Sequence, residues 1–397
     1  MTAPPAPIAP PRRHGFTTVL VAMTGAKSTS NLALRWIGPF LPTLERAFGA
    51  STGTLTGVIG AAELSGLSTS LIGRVLDRGR HRVVIAGGLL LASASSVVAL
   101  GGSVWTFALA MVLLVVGVAN LTVAGLAYIG DRVPYERRGR AIGIFETSWA
   151  IALVAGAPVI ALVIEAGGWR AAYLTLAVLT TVGAFVVWRM VPGVPAPTVP
   201  GRPDHGEPAT VGRRLPASAW APIMTSALLA AAGLGMFVVT GVWLEDRHGL
   251  AVGGLGLVAT AMGAVELVSS SSVAAFADRI GLRRSVAGGT VLLGCGIAVI
   301  AVSGDSTLLA VIGLLILVAG FEFGFVASLS VMSEAAPGAR GTALAVGNAV
   351  GTLSRSAAVV LSGQLYDAFG VSGSLGLAAV ALTGAGAAIG VQALRRP

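Results

Sequence analysis

An all-α membrane protein of twelve spans, built as two parallel six-helix halves, is the fold class this sequence predicts. Three observations lead there. The 397-residue chain is 55% apolar and only 11% charged, with a mean hydropathy of +0.86; a soluble chain carries roughly twice that charged fraction. Twelve apolar runs each approach the ~20 residues that a helix needs to cross lipid. A short charged signature also occurs twice, as GRVLDRGRHR and AAFADRIGLRR, with Asp77 and Asp278 201 positions apart.

The elements follow in order. Residues 1–16, MTAPPAPIAPPRRHGF, form a Pro-rich tail without the compact shape of a cleaved signal peptide. The first half, 17–190, holds runs near 17–41, 52–73, 83–101, 105–129, 140–164 and 170–188. Residues 191–216, rich in Pro and polar residues, read as a linker. The second half, 217–397, holds runs near 219–243, 253–275, 285–302, 307–331, 341–364 and 373–394. Lipid offers the backbone no hydrogen bonds, so each run must be helical. The 55 glycines suit close helix packing in lipid. The lone Cys295 is read as helix packing, since no internal disulfide is possible.

A net charge of +9 invites a nucleic-acid reading, but its distribution argues against one. Twenty of the 26 basic residues fall in one set of loops and tails, three (Arg46, Arg170, Arg247) in the opposite loops, and three (Lys27, Arg35, Arg355) within helices. Basic loops stay cytoplasmic, which predicts that both termini are inside. Trp36, Trp105, Trp169, Trp188, Trp220 and Trp243 lie near run ends, as an interfacial aromatic belt requires; Trp149 lies within a span.

The repeat extends beyond the signature. Asp131-Arg-Val-Pro134 matches Glu334-Ala-Ala-Pro337, Arg138-Gly139 matches Arg340-Gly341, and Glu165 matches Asp367, all in one register of 200–203 residues. Parallel repeats of this kind usually build a substrate site between the halves.

These motifs resemble the major facilitator superfamily over nearly the whole chain. The family's signature between helices 2 and 3 is matched by Gly73, Asp77, Arg78 and Arg82, with Arg80 where a second Gly is usual. The second copy keeps Asp278, Arg279, Gly281, Arg283 and Arg284, with Ala274 at the first Gly. Gly156-Ala157-Pro158 resembles the antiporter motif of helix 5, interrupted by Ala157, and Arg35-Trp-Ile-Gly-Pro-Phe-Leu-Pro42 looks like the drug and sugar efflux branch. That branch often carries an arginine within helix 4, whereas Asn120 is the only strongly polar residue here. The resemblance implies a conformational gate of Gly73, Asp77, Arg78, Arg82, Asp131, Asp278, Arg279 and Glu334. Arg78 would pair with Asp131, and Arg279 with Glu334, in one state and part in the other.

Charges inside lipid are costly and usually mark function. They are Lys27 and Arg35 in the first run, Glu63 in the second, Glu146 in the fifth, Glu266 in the eighth, Glu322 in the tenth and Arg355 in the eleventh. Runs 3, 6, 9 and 12 carry none, as the resemblance implies for lipid-facing helices. Lys27 is the chain's only lysine, and Lys27, Asn31 and Arg35 recur every four residues, along one helix face. This predicts a substrate and proton cavity of Lys27, Asn31, Arg35, Glu63, Asn120, Glu146, Trp149, Glu266, Glu322, Asn348 and Arg355. The competing readings are structural: Lys27 paired with Glu63, Arg35 snorkelling to the interface, Glu322 neutralised by Arg355, Glu146 in a gating ion pair and Trp149 in packing.

Carboxyls in low dielectric suit proton coupling, and Glu322 is the leading candidate. The expected function is secondary active transport of a small organic molecule by alternating access, as proton-coupled efflux by an antiporter. The alternatives are uptake or exchange of a small organic anion and a non-transporting membrane receptor. Expected partners are a small-molecule substrate, protons and the lipid bilayer of the plasma membrane, with no nucleic acid and a monomeric chain. No cofactor, metal or enzymatic activity is expected: His14, His81, His205 and His248 lie in tails, loops or the linker, and no phosphate-binding Gly-Lys-Ser/Thr loop occurs.

Overall fold

The computed structural model describes residues 15–72, 75–76, 78–193, 215–336 and 339–394. Gly73, Asp77, most of the N-terminal tail and most of the linker lie outside the described residues, as does the side chain of Asp278. Among the described residues the architecture is entirely helical. The first half contains α1 (Phe16–Arg35), α2 (Leu41–Phe48), α3 (Thr52–Glu63), a 3₁₀ segment (Leu64–Ile72), α4 (His81–Ala99), α5 (Val104–Arg132), α6 (Tyr135–Glu146), α7 (Ser148–Val154) and α8 (Gly156–Met190). The second contains α9 (Ala217–His248), α10 (Val252–Ile280), α11 (Leu282–Val302), α12 (Thr307–Glu334), α13 (Arg340–Phe369) and α14 (Val371–Leu394). Nine helices among the described residues are long and apolar enough to cross a membrane.

Departures from the expected runs have local causes. The first run stops at Arg35 because Gly38-Pro39 cannot continue it, and Pro42 then opens α2. The second divides at Glu63, where a Ser- and Gly-rich stretch begins and Ser65 Oγ bonds the Ala62 carbonyl at 2.6 Å. The fifth breaks at Ala155, because Pro158 has no N–H for the carbonyl of Val154, four residues earlier. α8 is too long for one crossing at ~1.5 Å per residue, and it breaks at Gly168, which takes φ 69°, ψ −172°.

The sequence repeat is also a packing repeat. A Cβ on Gly88 would stand 2.5 Å from the Gly117 carbonyl, and one on Gly320 would stand 2.2 Å from the Leu293 N and 2.8 Å from the Gly289 carbonyl. Gly88 and Gly289 occupy one repeat position, and Gly117 and Gly320 another. The tight α4–α5 contact is therefore reproduced by α11–α12, as small residues allow in lipid. The left-handed turn of the signature is repeated too, by Gly79 (φ 71°) and Gly281 (φ 86°). The residue expected to replace this glycine, Arg80, is thus preceded by one that makes the turn.

The halves meet at the end away from the signature. Gly241 packs on the carbonyls of Gly38 and Pro39, Gly60 on that of Ser356, and Gly263 on Leu153. The Gly53 N–H donates to Asp367 Oδ2 at 3.0 Å, and Arg46 pairs with Glu245. These contacts join α2, α3 and α7 to α9, α10 and α13 and close that end. Two aromatic expectations are corrected here. Trp36 and Trp243 are buried in this core, not interfacial: Phe40 and Tyr173 pack on Trp36, and His248 packs on Trp243. Cys295 is exposed on α11 and packs no interior.

Candidate functional site

The polar stripe of α1 is buried, facing the α6–α7 corner. Lys27 is 2% exposed and donates from Nζ to Glu146 Oε2 at 2.8 Å, with the Phe145 ring 4.3 Å below. Asn31 Nδ2 donates to Ser148 Oγ at 3.2 Å. Arg35 is 3% exposed, donates from Nη1 to the Trp149 carbonyl at 2.9 Å, and stacks 4.5 Å from the Trp149 ring. Four-residue spacing on α1 thus meets Glu146, Ser148 and Trp149 at the α6–α7 corner. Trp149 serves as a platform for the guanidinium.

Two ion pairs then cross between the halves. Arg35 grips Glu266 of α10 with both terminal nitrogens, at 2.6 and 2.5 Å. Arg355 of α13 donates to Glu63 Oε2 from Nε at 3.0 Å and from Nη2 at 2.7 Å. These contacts correct three structural readings. Lys27 pairs with Glu146 and not Glu63, Arg355 engages Glu63 and not Glu322, and Arg35 is buried instead of snorkelling. Glu146, half-exposed, ends up as the partner of Lys27.

Glu322 is 7% exposed and accepts a hydrogen bond from Ser270 Oγ at 3.1 Å. Glu266 and Arg35 act on it electrostatically. No cation forms an ion pair with Glu322 among the described residues. Ser270 was missed in the sequence, although it follows Glu266 by one helical turn and shares its face. Asn120 is partly buried, its Oδ1 without a partner. Asn348 is exposed.

Among the gate residues, Asp131 Oδ2 lies 3.3 Å from Nε2 of His81. His81 is buried at the start of α4, against Tyr128, which corrects its placement in a loop. Arg279 and Glu334 are both exposed and form no ion pair among the described residues. The helix 5 motif acts through packing: Gly156 lets Leu32 approach, since a Cβ there would stand 2.5 Å from it, and Pro158 sets the break. No metal-binding cluster of His, Cys, Asp or Glu occurs among the described residues. A cavity of about 840 Å³ opens at the closed end, lined by Glu45, Asp246, Arg247, Tyr366 and Asp367, away from the buried charges.

The Major Facilitator Superfamily model matches residues 18–359 and 223–396. The chain belongs to this superfamily. It is 24% identical over 407 residues to YwfA, an uncharacterized MFS-type transporter of Bacillus subtilis (strain 168), covering 97% of this chain and 94% of the relative. Its fold is similar to that of a bacterial homolog of the human lysosomal transporter Spinster, in an inward-facing and unoccupied conformation, with TM-score 0.78 and 16% identity over 95% of this chain and 94% of that one. It is likewise similar to the peptide transporter POT in complex with sulfate, with TM-score 0.75 and 17% identity over 97% and 96% of the two chains. The chain is a multi-pass membrane transporter by family, which speaks against an enzyme.

Proposed function

We propose that this transporter moves a small organic molecule by alternating access, exporting it in exchange for protons, and that Glu322 carries the exchanged proton. The supporting observation is the charge balance of the membrane interior. Lys27, Arg35 and Arg355 are each neutralised by an acid, Glu146, Glu266 and Glu63. Glu322 is the acid left over, with a serine and no cation against it. A buried carboxyl so placed can take a proton or face an organic cation without breaking an ion pair. Anion transport would have to draw on an arginine or lysine already engaged.

On this reading the chain has twelve spans in two halves, 17–190 and 217–397, joined by the linker 191–216. Both termini and the signature end are cytoplasmic, in the plasma membrane, and the chain acts as a monomer. The closed end faces outward and the conformation is inward-facing. The halves touch there, while α6, at the signature end, packs within its own half.

The test is proton flux in liposomes bearing purified protein under a pH gradient, with a panel of organic cations and anions. Ligand-dependent proton movement lost in Glu322→Gln is the expected result. Ligand crossing without proton movement would overturn the coupling. Retained flux in Glu322→Gln would overturn the role of that residue.

A further inference from the structure

Where α4 begins and α8 ends, two arginines stand on exposed aromatic rings. The Arg82 guanidinium lies 3.9 Å from the Trp188 ring, and that of Arg189 lies 5.0 Å from the Phe185 ring. Trp188 is 46% exposed and Phe185 58%. Neither arginine forms an ion pair among the described residues. Arg80 precedes α4 with no side-chain cap, so the first N–H groups of this 19-residue helix add positive potential at the same place. The basic pair is continuous with an apolar ladder. Leu174, Val178, Val182 and Phe185 are all exposed and follow one another at three- and four-residue steps toward Arg189, on one face of α8. The neighbouring α4 is held alongside by Ser93, whose Oγ bonds the Ala177 carbonyl at 3.1 Å and Thr181 at 2.8 Å.

We propose that this face of α4 and α8 binds an anionic phospholipid, with its phosphate against Arg82 and Arg189 and its acyl chains along the ladder. The ladder decides for a lipid over a free anion, since only a lipid has an apolar body to lay on it. The aromatic rings hold the guanidinium planes ready, and an arginine fork matches phosphate oxygens. The repeat-related end of the second half has exposed arginines, Arg283 and Arg284, but neither stacks on a ring among the described residues. It is the natural control.

The experiment is native mass spectrometry of delipidated protein titrated with phosphatidylglycerol and phosphatidylcholine of matched chains, with inorganic phosphate as competitor. Two arginines at about 1 kcal/mol each predict a preference for phosphatidylglycerol of roughly 30-fold. Arg82→Gln/Arg189→Gln should remove that preference, Arg283→Gln/Arg284→Gln should retain it, and millimolar inorganic phosphate should not displace the lipid. Equal binding of the two lipids, or equal losses in the two double variants, would overturn the site, the latter reducing it to general basic charge. Displacement by inorganic phosphate would make it a free-anion site and overturn the lipid assignment. If the Arg82/Arg189 variant does not fold, Trp188→Ala reads the same site. Losing one cation–π contact should lower the preference about two- to fivefold, and an unchanged preference would overturn the proposal.

Discussion

Replacing Glu266 by Gln should loosen the closed end of the protein more than any other single neutralisation among the interior charges. The carboxylate takes both terminal nitrogens of Arg35, at 2.6 and 2.5 Å, and both residues are 3% exposed. Removing one partner of a buried ion pair costs about 3–5 kcal/mol, because the other charge remains desolvated. This pair joins α1 to α10, so the cost falls on the conformation in which the halves touch there. A loss of that size corresponds to a shift of roughly 10²- to 10⁴-fold in the balance between conformations, if the other one lets water reach Arg35. Electron-spin distance measurements between labels at Thr54→Cys and Ser372→Cys, in a Cys295→Ser background, would follow the closed end directly. The expected result is a longer or bimodal distance in Glu266→Gln. Arg35→Met/Glu266→Met should recover the short distance, since an apolar pair leaves no stranded charge. An unchanged distribution in Glu266→Gln, or a double variant as open as the single, would refute the reasoning.

Two further outcomes follow from the packing and from the outer surface. Gly320→Ala places a Cβ 2.2 Å from the Leu293 N, backbone that cannot step aside, and should lower thermal stability by about 1–3 kcal/mol; the same change at Gly376, where nothing lies within 4 Å, is the control in the same melting assay. Burial holds the Glu45 carboxyl above its ordinary pKa, with Asp246 and Asp367 adding to the shift against the Thr52 hydroxyl and Arg46. Its ionisation therefore opposes the folded state, and the penalty is absent below the ordinary carboxyl value and grows as pH rises through the raised one. Glu45→Gln should accordingly raise the melting temperature at neutral pH, and the gain should vanish in acid; a gain independent of pH would count against this.

The fold was legible because lipid leaves few options. Hydropathy marks the nine helices long and apolar enough to cross a membrane among the described residues, and the recurrence of Gly88 and Gly117 as Gly289 and Gly320 reflects helix contacts that the duplicated chain had to make twice. What hid was the partnering of charges. Lys27 and Glu146 lie 119 positions apart, and Arg355 and Glu63 lie 292 apart. No local periodicity specifies which acid a base meets, because helix rotation and tilt decide it. The spacing of Lys27, Asn31 and Arg35 correctly marks one face of α1 but says nothing of what covers it: the stripe is buried against Glu146, Ser148 and Trp149. Trp36 and Trp243 were misplaced for a related reason. A tryptophan near the end of an apolar run sits at the interface only if nothing packs over it, and here Phe40 and Tyr173 cover Trp36 and His248 covers Trp243.

Glu63 and Glu266 occupy equivalent repeat positions, and each takes an arginine from the opposite half. The two contacts form a crossed clamp, strong when dry and weak when wet. A unit pair at 4 Å is worth about 1 kcal/mol in water and about 4 kcal/mol at an effective dielectric of 20. Opening the closed end would admit water to these pairs, so the clamp loses strength as it parts. That favours two discrete states over a continuum of partly open ones. Glu322 bears on the same balance, since Arg35 lies within its electrostatic reach. Ionised, it adds a second second-half carboxylate pulling on a first-half arginine. Neutralised by a proton or by an organic cation, it withdraws that pull. Loading Glu322 therefore weakens the attraction across the clamp whichever species does it. On the proposed function, a proton and an organic cation would then compete for one carboxyl and bias the same conformational change, as a proton-coupled exchanger requires.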